Sequence, residues 1–230
     1  MARRALRKLE SGVDLARWLK TFDDLPDPWS CEALFGRSAP LEVELGSGKG
    51  LFLASAAAAN PDTDYLGLEL ARKYAEFAGA RLAKRQLANA RMVHGDGLRV
   101  FRKRLPAGSL DAVHVYFPDP WWKARHKKRR VMNAAFLADV QRTLKAGGRL
   151  HFWTDVEEYF VSTLELIAAC TRLSGPLEVL EAPAAHDLDY RTHFERRMRQ
   201  HGLPVYRSQF VRPPADSLAE KMLAERTDLS

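Results

Sequence analysis

The sequence predicts an α/β fold built on a mostly parallel sheet with helices on both faces. Three observations carry that prediction. From Pro40 onward, short apolar runs alternate with stretches of helical spacing. Glycine, proline or an acid follows most of those runs. The composition, 46% hydrophobic and 28% charged over 230 residues, is that of a globular chain long enough to bury a full core. Strands that alternate with helices pair in parallel, because each crossover helix returns the chain to the same end of the sheet. Ligands in such sheets sit beyond the carboxyl ends of the strands, where the strand order reverses. The residues just after each strand are therefore the candidates for function.

Taken in order, residues 1–38 read as a basic, irregular N-terminal extension punctuated by Pro26, Pro28 and Gly36, with a short helix expected over residues 14–20. Residues 39–230 read as the main domain. Leu41–Leu45 is the first predicted strand, followed by a glycine turn and a helix over Leu51–Ala59 that Asn60 and Pro61 stop. Asp64–Glu69 is the second strand, and residues 71–87 hold strong helix formers. Residues 91–94 form the third strand, with Gly95-Asp96-Gly97 as its turn. Residues 110–117 form the fourth, ended by Pro118 and Pro120. A helix over residues 133–144 is expected to end at Gly147-Gly148. Strands at 149–154, 177–180 and 205–211 complete a set of seven, with a helix over 156–171 between the first two of these.

Composition excludes several classes. Cys31 and Cys170 are the only cysteines, far apart and without a CxxC pair, which argues against a disulfide scaffold or a zinc cluster. No apolar run approaches the ~18 residues of a membrane span, and the charged start lacks the apolar core of a secretory signal, so a cytoplasmic protein without metal or membrane is expected. The net charge is +7, from 36 Lys and Arg against 29 Asp and Glu. Residues 123–130 carry six positive charges and residues 191–199 a net three, so the whole surplus lies in two segments. A concentrated basic surplus points to an anionic partner.

The strand ends carry the chemistry. Gly46-Ser-Gly-Lys-Gly50 lets the backbone approach a ligand at a helix N-terminus. Its GxGxG spacing is neither the dinucleotide GxGxxG nor a P-loop. Glu69 follows Gly50 by 19 residues, where an acid accepts from both ribose hydroxyls. Asp96 either accepts from an adenine amine or caps the following helix. Glu42 and Glu44 share one face of the first strand, and either one can meet a cationic cofactor group. Phe117-Pro-Asp-Pro-Trp-Trp122 holds Asp119 between two prolines and offers two flat rings for base stacking. The run Lys123, Arg125, Lys127, Lys128, Arg129 and Arg130, with His126 among them, suits phosphate contacts. Asp155 closes the strand at 149–154. Thr192 and Glu195 have the spacing of a helix cap and its capping-box partner.

Together these residues closely resemble the bacterial tRNA (guanine-N7-)-methyltransferases. The resemblance covers residues 40–210 and rests on the glycine turn, Leu66-Gly-Leu-Glu69, Phe117-Pro-Asp-Pro-Trp121, Lys123-Ala-Arg-His-Lys-Lys-Arg-Arg130, Thr154-Asp155 and Thr192-His-Phe-Glu195. It implies a Rossmann-like, S-adenosylmethionine-dependent methyltransferase with a mostly parallel seven-stranded sheet, acting on guanosine N7 in the tRNA variable loop. It implies cofactor contacts from Glu44 or Glu42, Gly46, Gly48, Glu69, Asp96 and Asp119, with Asp119 also catalytic. Lys123, Asp155, Thr192 and Glu195 would meet the substrate, and residues 125–130 the RNA. The chain departs from the family's usual pattern at Trp122, His193 and Arg197. The rival readings are an exocyclic-amine methyltransferase, a nicotinamide-dependent dehydrogenase and a non-catalytic RNA-binding protein on the same fold.

Overall fold

A computed structural model describes residues 14–180 and 190–214. Eight strands form one sheet: β1 (Leu19–Thr21), β2 (Leu41–Leu45), β3 (Asp64–Glu69), β4 (Ala90–His94), β5 (Leu110–Tyr116), β6 (Leu144–Thr154), β7 (Ser174–Leu177) and β8 (Tyr206–Val211). Their order across the sheet is β1-β4-β3-β2-β5-β6-β8-β7. The pairs from β1 to β6 are parallel, and β8 runs antiparallel to both β6 and β7. The order reverses between β2 and β5, so the loops after these two strands leave the sheet side by side.

Helices cover both faces, as the alternating pattern requires. The helices are α1 (Cys31–Phe35), α2 (Leu51–Ala59), α3 (Arg72–Lys84), α4 (Gly97–Lys103), α5 (Ala134–Thr143), α6 (Glu157–Cys170) and α7 (His193–Gln200). One apolar cluster joins Val43, Leu66, Val113 and Phe152 to Phe101, Phe136, Val140 and Tyr159 of α4, α5 and α6. A second joins Tyr65, Tyr116 and Trp153 to Phe52, Leu53, Ala78 and Leu82 of α2 and α3. The central strands are largely buried on both sides, and β2 places Glu42 and Glu44 among its apolar residues. Gly50, at φ +64°, lets α2 and α3 approach. A Cβ there would lie 2.7 Å from the Cβ of Ala78.

The structure differs from the sequence reading mainly before Pro40. Residues 16–18 form a turn and β1 follows, so the helix expected over 14–20 is absent and the sheet gains an eighth strand. Leu25, Leu34 and Phe35 enter the main core. Trp18 is buried in the other cluster, and its indole N–H donates to the Leu87 carbonyl at 2.8 Å. The described part of the predicted extension is thus built into the domain. A three-residue edge strand shows no readable alternation, and the prolines that follow masked the helix behind it. The residues before 14, including the basic start, lie outside the described residues.

Two smaller differences concern ends. α5 stops at Thr143, ahead of Gly147, because Leu144 already pairs with Leu110 of β5 and its ψ of 140° is extended. The strand expected at 177–180 lies at Ser174–Leu177, directly after the extended Thr171 that ends α6.

Trp18→Ala should cost ~3–5 kcal/mol, the usual range for emptying a buried aromatic site. In a chain of this size that lowers Tm by roughly 2–4 °C per kcal/mol. Thermal unfolding checks it, and an unmoved melt would mean that the segment is dispensable.

Candidate functional site

The site is assembled at the carboxyl ends of β2, β3, β4, β5 and β6. Gly46, Gly48 and Gly50 all have positive φ, and the backbone N–H groups of Gly46 and Ser47 donate to the Leu68 carbonyl at 2.8 and 3.1 Å. Glu69 at the end of β3 clamps this turn. Its Oε2 accepts from Gly48 N–H and its Oε1 from Ala71 N–H, both at 2.8 Å. Each carboxylate oxygen keeps acceptor capacity for a further donor, since an ionised carboxylate offers about four lone-pair sites. Asp96 caps α4 through Oδ1, which accepts from Leu98 N–H at 2.9 Å and Arg99 N–H at 3.4 Å.

Glu42 and Glu44 share a face of β2 but not an environment. Glu42 Oε2 lies 2.7 Å from His114 Nε2. Glu44 is 3% exposed, and its Oε2 finds no hydrogen-bond partner among the described residues. Burial pushes the Glu44 carboxyl up to about 8, against the opposing effect of a hydrogen bond from Ser47. One oxygen of this buried acid thus lacks a donor beside the glycine turn, a setting that would favour a cationic group.

The loop after β5 is strained and held. Phe117 and Trp121 sit at φ +50° and +47°, a region non-glycine residues occupy at a cost of ~1–3 kcal/mol each. Phe117 N–H donates to the Trp153 carbonyl at 2.8 Å, and its ring packs on Phe194 of α7 at 5.0 Å. Arg129 lies 5.1 Å over the Trp121 ring, and His126 meets that ring edge-on at 5.9 Å. Asp119 is exposed in this loop, and Trp122 is 69% exposed near it in the chain.

The basic run divides into two parts. Arg130 is buried. Its Nε donates to the Pro120 carbonyl at 2.8 Å, its Nη2 to Glu158 at 2.7 Å, and its guanidinium stacks 4.4 Å over Tyr159. It pins the loop from beneath, so the guanidinium expected to meet RNA is engaged by protein partners in this structure. Lys127 also pairs with Glu158 at 2.7 Å. Hydrogen bonds from Arg130 and Lys127 hold the Glu158 carboxyl down to about 2. Lys123, Arg125, Lys128 and Arg129 are exposed around a 3-10 turn (Ala124–Arg129).

Asp155 follows β6, and burial raises its pKa. Thr192 caps α7, its hydroxyl oxygen accepting from Glu195 N–H at 3.0 Å. Glu195 is 2% exposed. Its Oε2 accepts from Arg191 N–H at 2.7 Å, and Arg199 and Arg207 approach its Oε1 at 3.5 and 3.4 Å. The cap reading of Thr192 holds, while the Glu195 carboxylate accepts from Arg191 N–H, one residue before the cap, rather than closing a capping box on Thr192 N–H. Its carboxylate is turned inward to hold the start of α7.

Sequence reasoning missed a buried layer of Phe52, His114, Tyr116, His151 and Trp153, with Arg191 against it. His114 stacks on His151 at 4.7 Å, and Tyr116 meets Trp153 edge-on at 5.1 Å. Burial holds His114 well below its usual pKa and His151 down at about 2, so both rings are neutral. The signal was present as polar and aromatic residues two apart on β5 and two apart on β6, which alternation places on one face.

Comparison with known proteins agrees with this geometry. A family model described as "Putative methyltransferase" matches residues 38–208. A tRNA (guanine-N(7)-)-methyltransferase of Rhodopirellula baltica is 53% identical over 213 residues, covering 90% of this chain and 79% of that one. A protein of the same name from Chromobacterium violaceum is 40% identical over 174 residues, covering 75% of each chain. Among solved structures, a 30S ribosomal A1408 methyltransferase from an uncultured bacterium matches with a TM-score of 0.50 at 19% identity, over 77% of this chain and 90% of that one. That likeness concerns the fold alone.

Proposed function

This chain belongs to the tRNA (guanine-N(7)-)-methyltransferase family, an S-adenosylmethionine-dependent enzyme family, and on that premise we propose that its strand-end cleft delivers a methyl group to N7 of a guanosine in the tRNA variable loop. The observation that carries the reading is the placement of three acids and an open glycine turn around one switch point, with four exposed cations beside it. Action on tRNA fits a cytoplasmic protein, and no helix among the described residues is long and apolar enough to cross a membrane.

The residues present fit the cofactor. Glu44, rather than the His114-bound Glu42, is the acid available to its cationic amine. Glu69 would offer acceptors for ribose hydroxyls, the Gly46 and Gly48 backbone leaves room there, and Asp96 would accept from the adenine amine. When bound, S-adenosylmethionine supplies a methyl group on a positively charged sulfur.

Guanine N7 already carries a lone pair, so no residue has to act as general base. Positive charge accumulates on the guanine ring as the reaction proceeds. Asp119, exposed in its proline-flanked loop, binds that charge better in the transition state than in the neutral base, which is differential binding of the kind that raises kcat. Lys123, Asp155 and Thr192 form the rim that orients the base, and Glu195 fixes Thr192 from below. Trp122 offers a stacking face, and Lys123, Arg125, Lys128 and Arg129 meet phosphates.

Incubation with unmodified tRNA and labelled S-adenosylmethionine, followed by nucleoside identification, tests the reading. The expected product is 7-methylguanosine, and any other methylated nucleoside overturns it. Two further outcomes are expected. Glu44 is largely protonated in the free protein near neutral pH, and a bound cation draws it to the ionised form. Cofactor binding should therefore release a proton and tighten as pH climbs toward 8. Glu44→Gln should abolish the release, read by calorimetry in buffers of different ionisation enthalpy. Neutralising Lys123, Arg125, Lys128 and Arg129 together should flatten the dependence of log K for tRNA on log salt by roughly 3–4. Arg130→Ala should lower Tm with little change in that slope.

A further inference from the structure

Arg191 precedes the helix cap Thr192, and it is tied at both ends. Its backbone N–H donates to Glu195 Oε2 at 2.7 Å, which fixes the start of α7. Its side chain reaches the opposite way. Nη1 donates to the Tyr116 hydroxyl at 3.3 Å, and the guanidinium lies 5.6, 6.0 and 5.3 Å from the ring centroids of Phe52, Tyr116 and Trp153.

The contacts continue inward. The Tyr116 hydroxyl lies 2.9 Å from His114 Nδ1, and His114 Nε2 lies 2.7 Å from Glu42 Oε2. Donor and acceptor chemistry gives this chain one direction. A guanidinium can only donate, so the Tyr116 oxygen accepts and its proton points to His114 Nδ1. The neutral imidazole then carries its proton on Nε2 and donates to Glu42. Every link is satisfied in that arrangement, and a fully satisfied buried network selects a single conformation.

We infer that Arg191, through Tyr116, His114 and Glu42, is the positioning residue that sets Thr192 and the start of α7 in register with the β2–β5 switch point. Other contacts also hold the same helix, among them the Phe194–Phe117 ring pair at 5.0 Å, Arg81 Nη2 against His193 Nε2 at 3.1 Å and Arg207 Nη2 near Glu195 Oε1 at 3.4 Å. Cutting the Arg191 chain therefore shifts the segment without releasing it. The inference rests on the reading that Thr192 and its neighbours orient the guanosine. It also gives Glu42 a role separate from the cofactor.

The test uses the full chain with Arg191→Met, Tyr116→Phe, the double variant and Arg191→Lys. Steady-state constants for tRNA, cofactor affinity and Tm are measured for each. Each of Arg191→Met and Tyr116→Phe should lower kcat/KM for tRNA by roughly 10- to 150-fold, the range of one lost hydrogen bond to a charged group. Cofactor affinity should stay at the wild-type value. The double variant should be no worse than the more damaging single one, because either change severs the same chain. Arg191→Lys should recover part of the loss. Tyr116→Phe removes one oxygen, so it keeps the test open if Arg191→Met fails to fold. Wild-type kcat/KM in Tyr116→Phe, losses that multiply in the double variant, or cofactor affinity falling in step would each overturn the inference. A wild-type protein that forms no 7-methylguanosine would instead overturn the reading beneath it.

Discussion

Main-chain hydrogen bonds between β2 and β5 join two halves of the sheet in which successive strands are added in opposite directions. That parallel pairing, with Val43 opposite Val113 and Glu44 opposite His114, fixes everything the site needs. It sets the glycine turn beside the proline-flanked aspartate loop, although about 70 residues separate them in sequence. It also brings the two acids of β2 against the histidine of β5. A slip of one residue would exchange the faces of every side chain on β2 and turn Glu44 away from the cleft.

The loop bearing Asp119 shows how such a frame is used. Two non-glycine residues stay in left-handed conformations only because the surroundings over-determine them. Those surroundings include a buried arginine gripping the Pro120 carbonyl, a ring contact to α7 and a backbone bond to β6. The prolines restrict the loop further. The carboxylate is held in place before any ligand arrives, so less ordering is left for the binding event.

Much of this was legible in the sequence because the informative residues act locally. Gly46-Ser-Gly-Lys-Gly50, Asp96 as a cap and the Thr192–Glu195 pair are short-range devices whose chemistry is contained in a few neighbours. The protein contacts of Arg130 were hidden for the opposite reason. Nothing in a run of six cations distinguishes the one whose guanidinium meets Glu158, 28 positions later, from those that face solvent. The Arg191 chain likewise joins residues 42, 114, 116 and 191, so only the fold reveals it. β1 escaped notice because three residues at a sheet edge draw their stability from the partner strand rather than from their own pattern.

That edge strand has a consequence for how the protein behaves at high concentration. β1 occupies the hydrogen-bonding side of β4, and the other end of the sheet closes on the short strand β7. A chain trimmed to begin at residue 39 would leave the ladder of β4 open as a template for a second molecule, and self-association through strand addition would follow. The segment that carries β1 thus covers the five-residue ladder of β4 with a three-residue edge, a shorter template for a neighbouring molecule.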